Sequence, residues 1–269
     1  MDLRTKLRYQ GYLSTPALWE GNTVSQFKQI EPIVNTEAID DSVIFKNQRL
    51  GKLVEEFVFH QLKNQDTVSW ICDNLQIQEG KRTVGEIDAL YYKEESPVHL
   101  EVAYKFYLFD TIENYNNPLA HWVGPNRKDS LFYKLGKLHN KQLPLLHNKL
   151  TKPYLESYNL DIKSIKQELC FKAQLFLPYK NESINVSPLN NDCVAGFYIS
   201  YHKIQEFSTF NFYIPTKLDW LVIPNNNVDW LNYSSALEII KMGINNKRSP
   251  LVWIKKKNNE LSKCFIVFW

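Results

Sequence analysis

An α/β fold, with a mixed central sheet flanked by helices, is predicted by three features of this sequence. Residues 46–64 carry apolar side chains at helical spacing, and residues 85–108 read as two strands and a turn. After residue 172 the text alternates like strands, with one helix among them. The organisation expected is a packing segment over residues 1–45, a core over 46–180, and an α+β extension over 181–269 packed on that core.

Residues 1–45 open with basic, polar text. Ser14 and Pro16 mark a helix start or turn, and Glu31-Pro32 and Asp40-Asp41 read as loop. In 46–64, Leu50, Leu53, Val54, Phe57 and Gln61 follow the three-four spacing of one helix face, and Glu55 lies off that stripe. Residues 67–79 predict a short strand leading into the strand pair, with Gly80, Lys81 and Arg82 as a basic turn. Residues 109–125 read as a loop, in which Trp122-Val123-Gly124-Pro125 is assigned to a buried aromatic anchor before a lip over the site. A second helix is predicted from Lys128 to Leu146, with Asp129 or Ser130 near its start and Pro144 near its end. Its basic residues are assigned to solvent before phosphate. A helix is predicted around Leu160 to Leu169, then strands over 172–179, 196–204 and 211–224. A helix over 232–244 opens with serine caps, and a hairpin turns at Asn258-Asn259. The aromatic residues of this half, such as Tyr198, Trp220 and Trp230, are assigned to core packing ahead of base stacking.

The strand pair, GEIDALYYKEESPVHLEVAYKFYL over 85–108, carries the candidate chemistry. By the period-two rule Glu86 and Asp88 share one face, with Ile87 and Ala89 on the other. Lys93 to Pro97 reads as a loop. In the second strand Leu100, Val102, Tyr104 and Phe106 share a face, opposite His99, Glu101, Ala103 and Lys105. A buried carboxylate is expensive, and a pair beside a lysine suits a site completed by a divalent cation. Asp88 and Glu101 are the natural ligand pair, with hard oxygen donors for magnesium or manganese. Glu86 reads as a rim charge before a third ligand. His99, single on its face, reads as a packing or hydrogen-bonding residue.

Composition bounds the rest. A 269-residue chain with 44% hydrophobic and 23% charged residues buries a full core and is not disordered. A net charge of +3 neither requires nor excludes nucleic acid. Cys72, Cys170, Cys193 and Cys264 lie too far apart for zinc-ribbon or paired redox motifs, which suits a reducing compartment. The text has no signal-peptide core and no run of about 18 apolar residues, so a soluble, cytoplasmic protein without a membrane partner is expected.

The order acid, turn, acid, lysine resembles the PD-(D/E)XK nuclease superfamily. The wording also resembles a narrower, uncharacterised bacterial family called domain of unknown function 1853. The stretches that carry this are RLGKLVEEF (49–57), TVGEIDALYY (83–92), HLEVAYKFYL (99–108), WVGPNRKDSLFYKLGKLHNKQL (122–143), LFLP (175–178), GFYISY (196–201) and PTKLDWL (215–221). The resemblance implies a restriction-endonuclease-like core and a magnesium- or manganese-dependent nuclease acting on nucleic acid. Asp88 and Glu101 would hold the metal, Lys105 would assist, and Glu55 and Gln142 would support them. The superfamily lysine sits two residues after the glutamate, where this chain has Ala103. Lys105 stands about 7 Å further along the strand. That departure keeps a second reading open, a catalytically inactive nuclease-fold module that binds nucleic acid or a protein partner.

Overall fold

A ten-stranded sheet runs through both the 46–180 and the 181–269 segments of the computed structural model, which describes residues 2–30, 45, 49–181 and 183–269. The expected loops at Glu31-Pro32 and Asp40-Asp41 lie outside the described residues.

Helix α1 (Leu3–Leu13) is capped by Asp2, whose carboxylate accepts the Thr5 N–H at 3.0 Å. Its Arg4 and Arg8 both pair with the buried Asp219, Arg8 Nε at 2.8 Å. The short strand β1 (Lys28–Gln29) follows. Helix α2 (Leu50–Lys63) buries Leu50, Leu53, Val54, Phe57 and Gln61, the stripe that the spacing predicts. Strand β2 (Val68–Glu79) turns through Gly80, at φ +59°, into β3 (Arg82–Lys93), and β3 turns into β4 (Ser96–Phe109). The expected loop at Lys93–Pro97 is therefore a tight turn, with Glu94 at φ +56°. Pro97 already belongs to β4, at the strand start where its missing N–H is tolerated.

Next come β5 (Trp122–Val123), α3 (Leu131–Lys137) and α4 (Lys152–Ser157). Trp122 is buried. The helix expected over 128–146 is α-helical only through Lys137. It widens to a π turn over Leu138–Gln142 and tightens to a 3-10 turn over Leu143–His147. Pro144 cannot donate back into the helix, and the coil changes pitch there.

Strand β6 (Lys166–Pro178) replaces the helix expected around Leu160 to Leu169. Its first residues pair in register with Val98, His99 and Leu100 of β4, and this pairing overrides the locally helical text. The chain closes with β7 (Val194–Ser200), β8 (Asn211–Tyr213), α5 (Tyr233–Asn245), β9 (Leu251–Lys255) and β10 (Leu261–Val267). Where a strand over 211–224 is expected, three residues pair before Pro215, and Lys217–Trp220 form a 3-10 turn. The cap of α5 is Asn232, which accepts the Ser235 N–H, and not a serine.

The strand order is β2-β3-β4-β6-β7-β10-β9-β8, with β1 beside β6 and β5 beside β4. Pairings among β4, β6, β7 and β10 are parallel, as is that of β1 with β6, and the others are antiparallel, so the sheet is mixed. One face of β4 (Leu100, Val102, Tyr104, Phe106) packs with α1 and α2. The other, through Ala103 and Tyr107, packs under Leu131, Leu135 and Leu138. No helix among the described residues is long and apolar enough to cross a membrane.

Two helical glycines give opposite expectations for the same substitution. At Gly11 a Cβ would lie 1.9 Å from the Leu221 carbonyl oxygen, whereas at Gly51 it would meet nothing within 4 Å. Gly11→Ala is expected to destabilise the fold by about 1–3 kcal/mol. Gly51→Ala should stabilise it by about 0.5–1 kcal/mol, because alanine costs less conformational entropy in a helix. Urea unfolding of the two variants checks both signs.

Candidate functional site

The site forms where two strands part. The β3–β4 pairing runs from Lys93↔Ser96 to Ala89↔Leu100 and stops there. The next N–H on β4 that would seek β3, that of Val102, is taken by the Asp88 carboxylate at 2.9 Å. A side chain thus stands in for a strand, satisfying a backbone donor that burial would otherwise orphan. The strict alternation expected of β3 breaks at the same point. Ala89 packs with Leu100, but Ile87 packs with Ile77 and Leu145 on the other side.

Parting the strands leaves Asp88 and Glu101 buried side by side. Burial, then repulsion from Glu101, pushes Asp88 up to about 7. Burial pushes Glu101 up to about 7 as well, against the pull of Lys134, the Asp88 backbone and Gln142. A continuous hydrogen-bond chain fixes Glu101. Gln167 Nε2 donates to His99 Nδ1 at 3.0 Å, and His99 Nε2–H donates to Glu101 Oε1 at 3.0 Å. On the other oxygen Gln142 Nε2 donates to Glu101 Oε2 at 2.6 Å, and Lys134 Nζ donates to Gln142 Oε1 at 2.8 Å. Complete burial holds His99 down to about 4, so the ring is neutral and has one donor to give. The π turn is what delivers Gln142 to this position from the helix that carries Lys134.

A second group lies on the α2 side. Glu55, Glu86 and Asp88 offer carboxylate oxygens within 4.8 Å of one another. Burial and the nearby Asp88 push Glu55 up to about 7. Lys52 Nζ bridges Glu55 and Glu86 at 2.5 Å each and reaches Asn74 Oδ1 at 2.7 Å. Glu86, expected at the rim, therefore joins the cluster while keeping a 28% exposed side chain. Glu101 stands behind it, fully covered, with its oxygens held by His99 and Gln142. A cleft of about 340 Å³ opens beside Glu55 and Lys52. Two larger cavities, about 510 and 630 Å³, lie along α1 and are lined by none of these acids.

The lysines divide differently from the sequence expectation. Lys105 Nζ bonds Asp129 Oδ2 at 2.8 Å and is turned to that partner rather than to the acids. Asp129 is seated against Gly124, where a Cβ would fall 2.0 Å from its Oδ1, which accounts for the glycine in WVGPNRKD. Lys134, among the scattered lysines of the predicted second helix, is the one that reaches the acid pair through Gln142. Burial lowers its ammonium to about 8, and Glu101 and Asp88 pull it back up. A lysine four residues after the cap Ser130, preceded by Phe132 and Tyr133, carries no local signal of that role.

Clustered carboxylates that burial disfavours as anions are stabilised by a cation among them. Three oxygen donors so spaced can hold a divalent ion of the oxygen-preferring kind, and Lys52 already supplies one positive charge there. The residues present fit such an ion.

Fold and site together define a mixed α/β protein whose sheet opens around a cluster of carboxylates. The chain belongs to the family described as domain of unknown function (DUF1853), whose model matches residues 19–267. No curated protein and no solved structure matches it.

His99 is expected to be essential to the geometry of Glu101. His99→Phe leaves a buried Glu101 carboxylate oxygen without a partner, at a cost of about 1–3 kcal/mol, while the Gln167 amide keeps its bond to the Leu143 carbonyl. Equilibrium unfolding should show a loss in that range, and Gln167→Leu a smaller one.

Proposed function

We propose that this chain is a metal-dependent nuclease, built on a restriction-endonuclease-like core of the PD-(D/E)XK kind, that hydrolyses phosphodiester bonds in nucleic acid. The observation that carries the reading is the convergence of Glu55, Glu86 and Asp88 within 4.8 Å, with Glu101 bound behind Asp88 and a lysine one amide away. Magnesium or manganese, when bound there, supplies a Lewis acid that lowers the pKa of water and offsets charge on a phosphate. Asp88, Glu55 and Glu86 would hold the ion, and Glu101, tethered behind Asp88, would support them.

In hydrolysis the water oxygen bonds to phosphorus, the bond from phosphorus to the leaving sugar oxygen breaks, and the water proton ends on that oxygen or in solvent. Lys134 is assigned the role that the superfamily pattern gives to the strand lysine. Its ammonium, held by Gln142 next to Glu101, orients the water or neutralises a phosphoryl oxygen. Lys105, bound to Asp129, is assigned to bracing the Gly124 loop. A second reading, a nuclease-fold module that binds without cleaving, is favoured by one feature. The ammonium of Lys52 already bridges Glu55 and Glu86.

Labelled single- and double-stranded DNA and RNA, incubated with Mg²⁺ or Mn²⁺ against EDTA, test the proposal. Cleavage should need metal and disappear in Asp88→Asn. Lys134→Ala should lose about 10²–10³-fold in rate, the scale of a lost electrostatic stabiliser, while Lys105→Ala stays much closer to the parent. Calorimetry with Mn²⁺ gives a readout apart from turnover: heat in the parent and none in Asp88→Asn. Folded protein with no cleavage and no metal heat would overturn the nuclease in favour of the binding module.

A further inference from the structure

The helix that carries Lys134 has an outer face with no partner. Phe132 and Tyr133, two and one residues before Lys134, are 52% and 66% exposed, although both are large aromatics. At a rise of about 1.5 Å per residue, both rings are rooted within about 3 Å of Lys134 along the helix axis. Among the described residues neither ring has an aromatic neighbour, and Lys128, Lys137 and Lys141, all exposed, have no ion pair. The stretch from Ser130 to Leu155 contains five lysines and no aspartate or glutamate. A solvated structural helix would interleave both signs along its surface. Here exposed lysines surround two rings on the outer side of the helix whose Lys134 reaches the acidic site through Gln142.

From this juxtaposition we infer that the Phe132/Tyr133 face of α3 is the substrate platform, and that the substrate is single-stranded nucleic acid. The lysines follow the backbone phosphates, and the rings stack on unpaired bases. Duplex bases are already stacked on one another and have no free faces to offer, so the rings select single strands, frayed ends or loops. Stacking does not tell ribose from deoxyribose, and the platform serves either. This inference rests on the nuclease reading for its purpose, but it is tested by binding alone.

The experiment is fluorescence anisotropy in EDTA, at fixed salt, with a labelled mixed-sequence 20-mer and with the same strand annealed to its complement. The parent should bind the single strand at least about 10-fold more tightly than the duplex. Phe132→Ala/Tyr133→Ala should lose about 10-fold or more of the single-strand affinity, as removal of stacking rings does. Its duplex affinity and its melting temperature should stay unchanged. Lys137→Ala/Lys141→Ala should weaken both forms alike and flatten the salt dependence. Equal affinity for the two forms, no binding to either, or a Phe132→Ala/Tyr133→Ala protein that binds like the parent would overturn the inference. The nuclease assay separates the two claims. Ring-dependent binding without metal-dependent cleavage would sink the nuclease alone, and cleavage indifferent to the rings would sink the platform alone.

Discussion

Everything at the acidic centre depends on one hydrogen bond, from the Val102 N–H to the Asp88 carboxylate. It lets β3 leave β4 without stranding a buried donor, and so holds the sheet open over a short interval. In that interval two carboxylates face each other out of water. Their mutual cost is met by a chain of neutral and positive groups running from Gln167 through His99, Glu101 and Gln142 to Lys134. On the other side Lys52 performs the same service for Glu55 and Glu86. The site is therefore poised between two ammonium groups, each reaching it from a different helix.

How far the sequence discloses this follows from what periodicity can report. The apolar stripe of α2 is a strong signal because one face of that helix is buried and the other is not, whereas β4 is buried on both faces and is legible as a long run of β-forming residues. Asp88 and Glu101 stand out in such text as charges among β-formers. Lys134 does not stand out, being one of five lysines in an acid-free stretch, and only the π turn distinguishes it from its neighbours. Glu86 is ambiguous in the sequence for a similar reason, since its place depends on how β3 bends once it has left β4. The start of β6 was hidden as well. KSIKQEL reads as helical by composition, and it is a strand because β4 offers it a parallel partner from Val98 onward.

The parts of the chain without chemistry also acquire a physical role. Asp219, in the PTKLDWL stretch, is the buried anchor that Arg4 and Arg8 of α1 both seek, and Thr216 completes its shell. Gly11 permits the contact by letting the backbones touch. α1 in turn packs on α2 through Tyr9, Tyr12 and Phe57, whose rings lie 5.1–5.8 Å apart. The helix that presents Glu55 and Lys52 is thus held in place by residues at two distant ends of the sequence.

The position of β10 has a consequence for the order of assembly. It is the last strand in the chain, yet it lies between β7 and β9, and the β8–β9 pair joins the rest of the sheet through it. Until residues 261–267 have left the ribosome, β7 presents an open parallel edge, and β8 and β9 have no sheet to join. Such long-range closure is slow, and an uncovered edge invites pairing with other chains. Before β10 is in place the acidic centre can be nearly complete while the sheet is not, and in that interval the open edge of β7 is what a chaperone would have to shield.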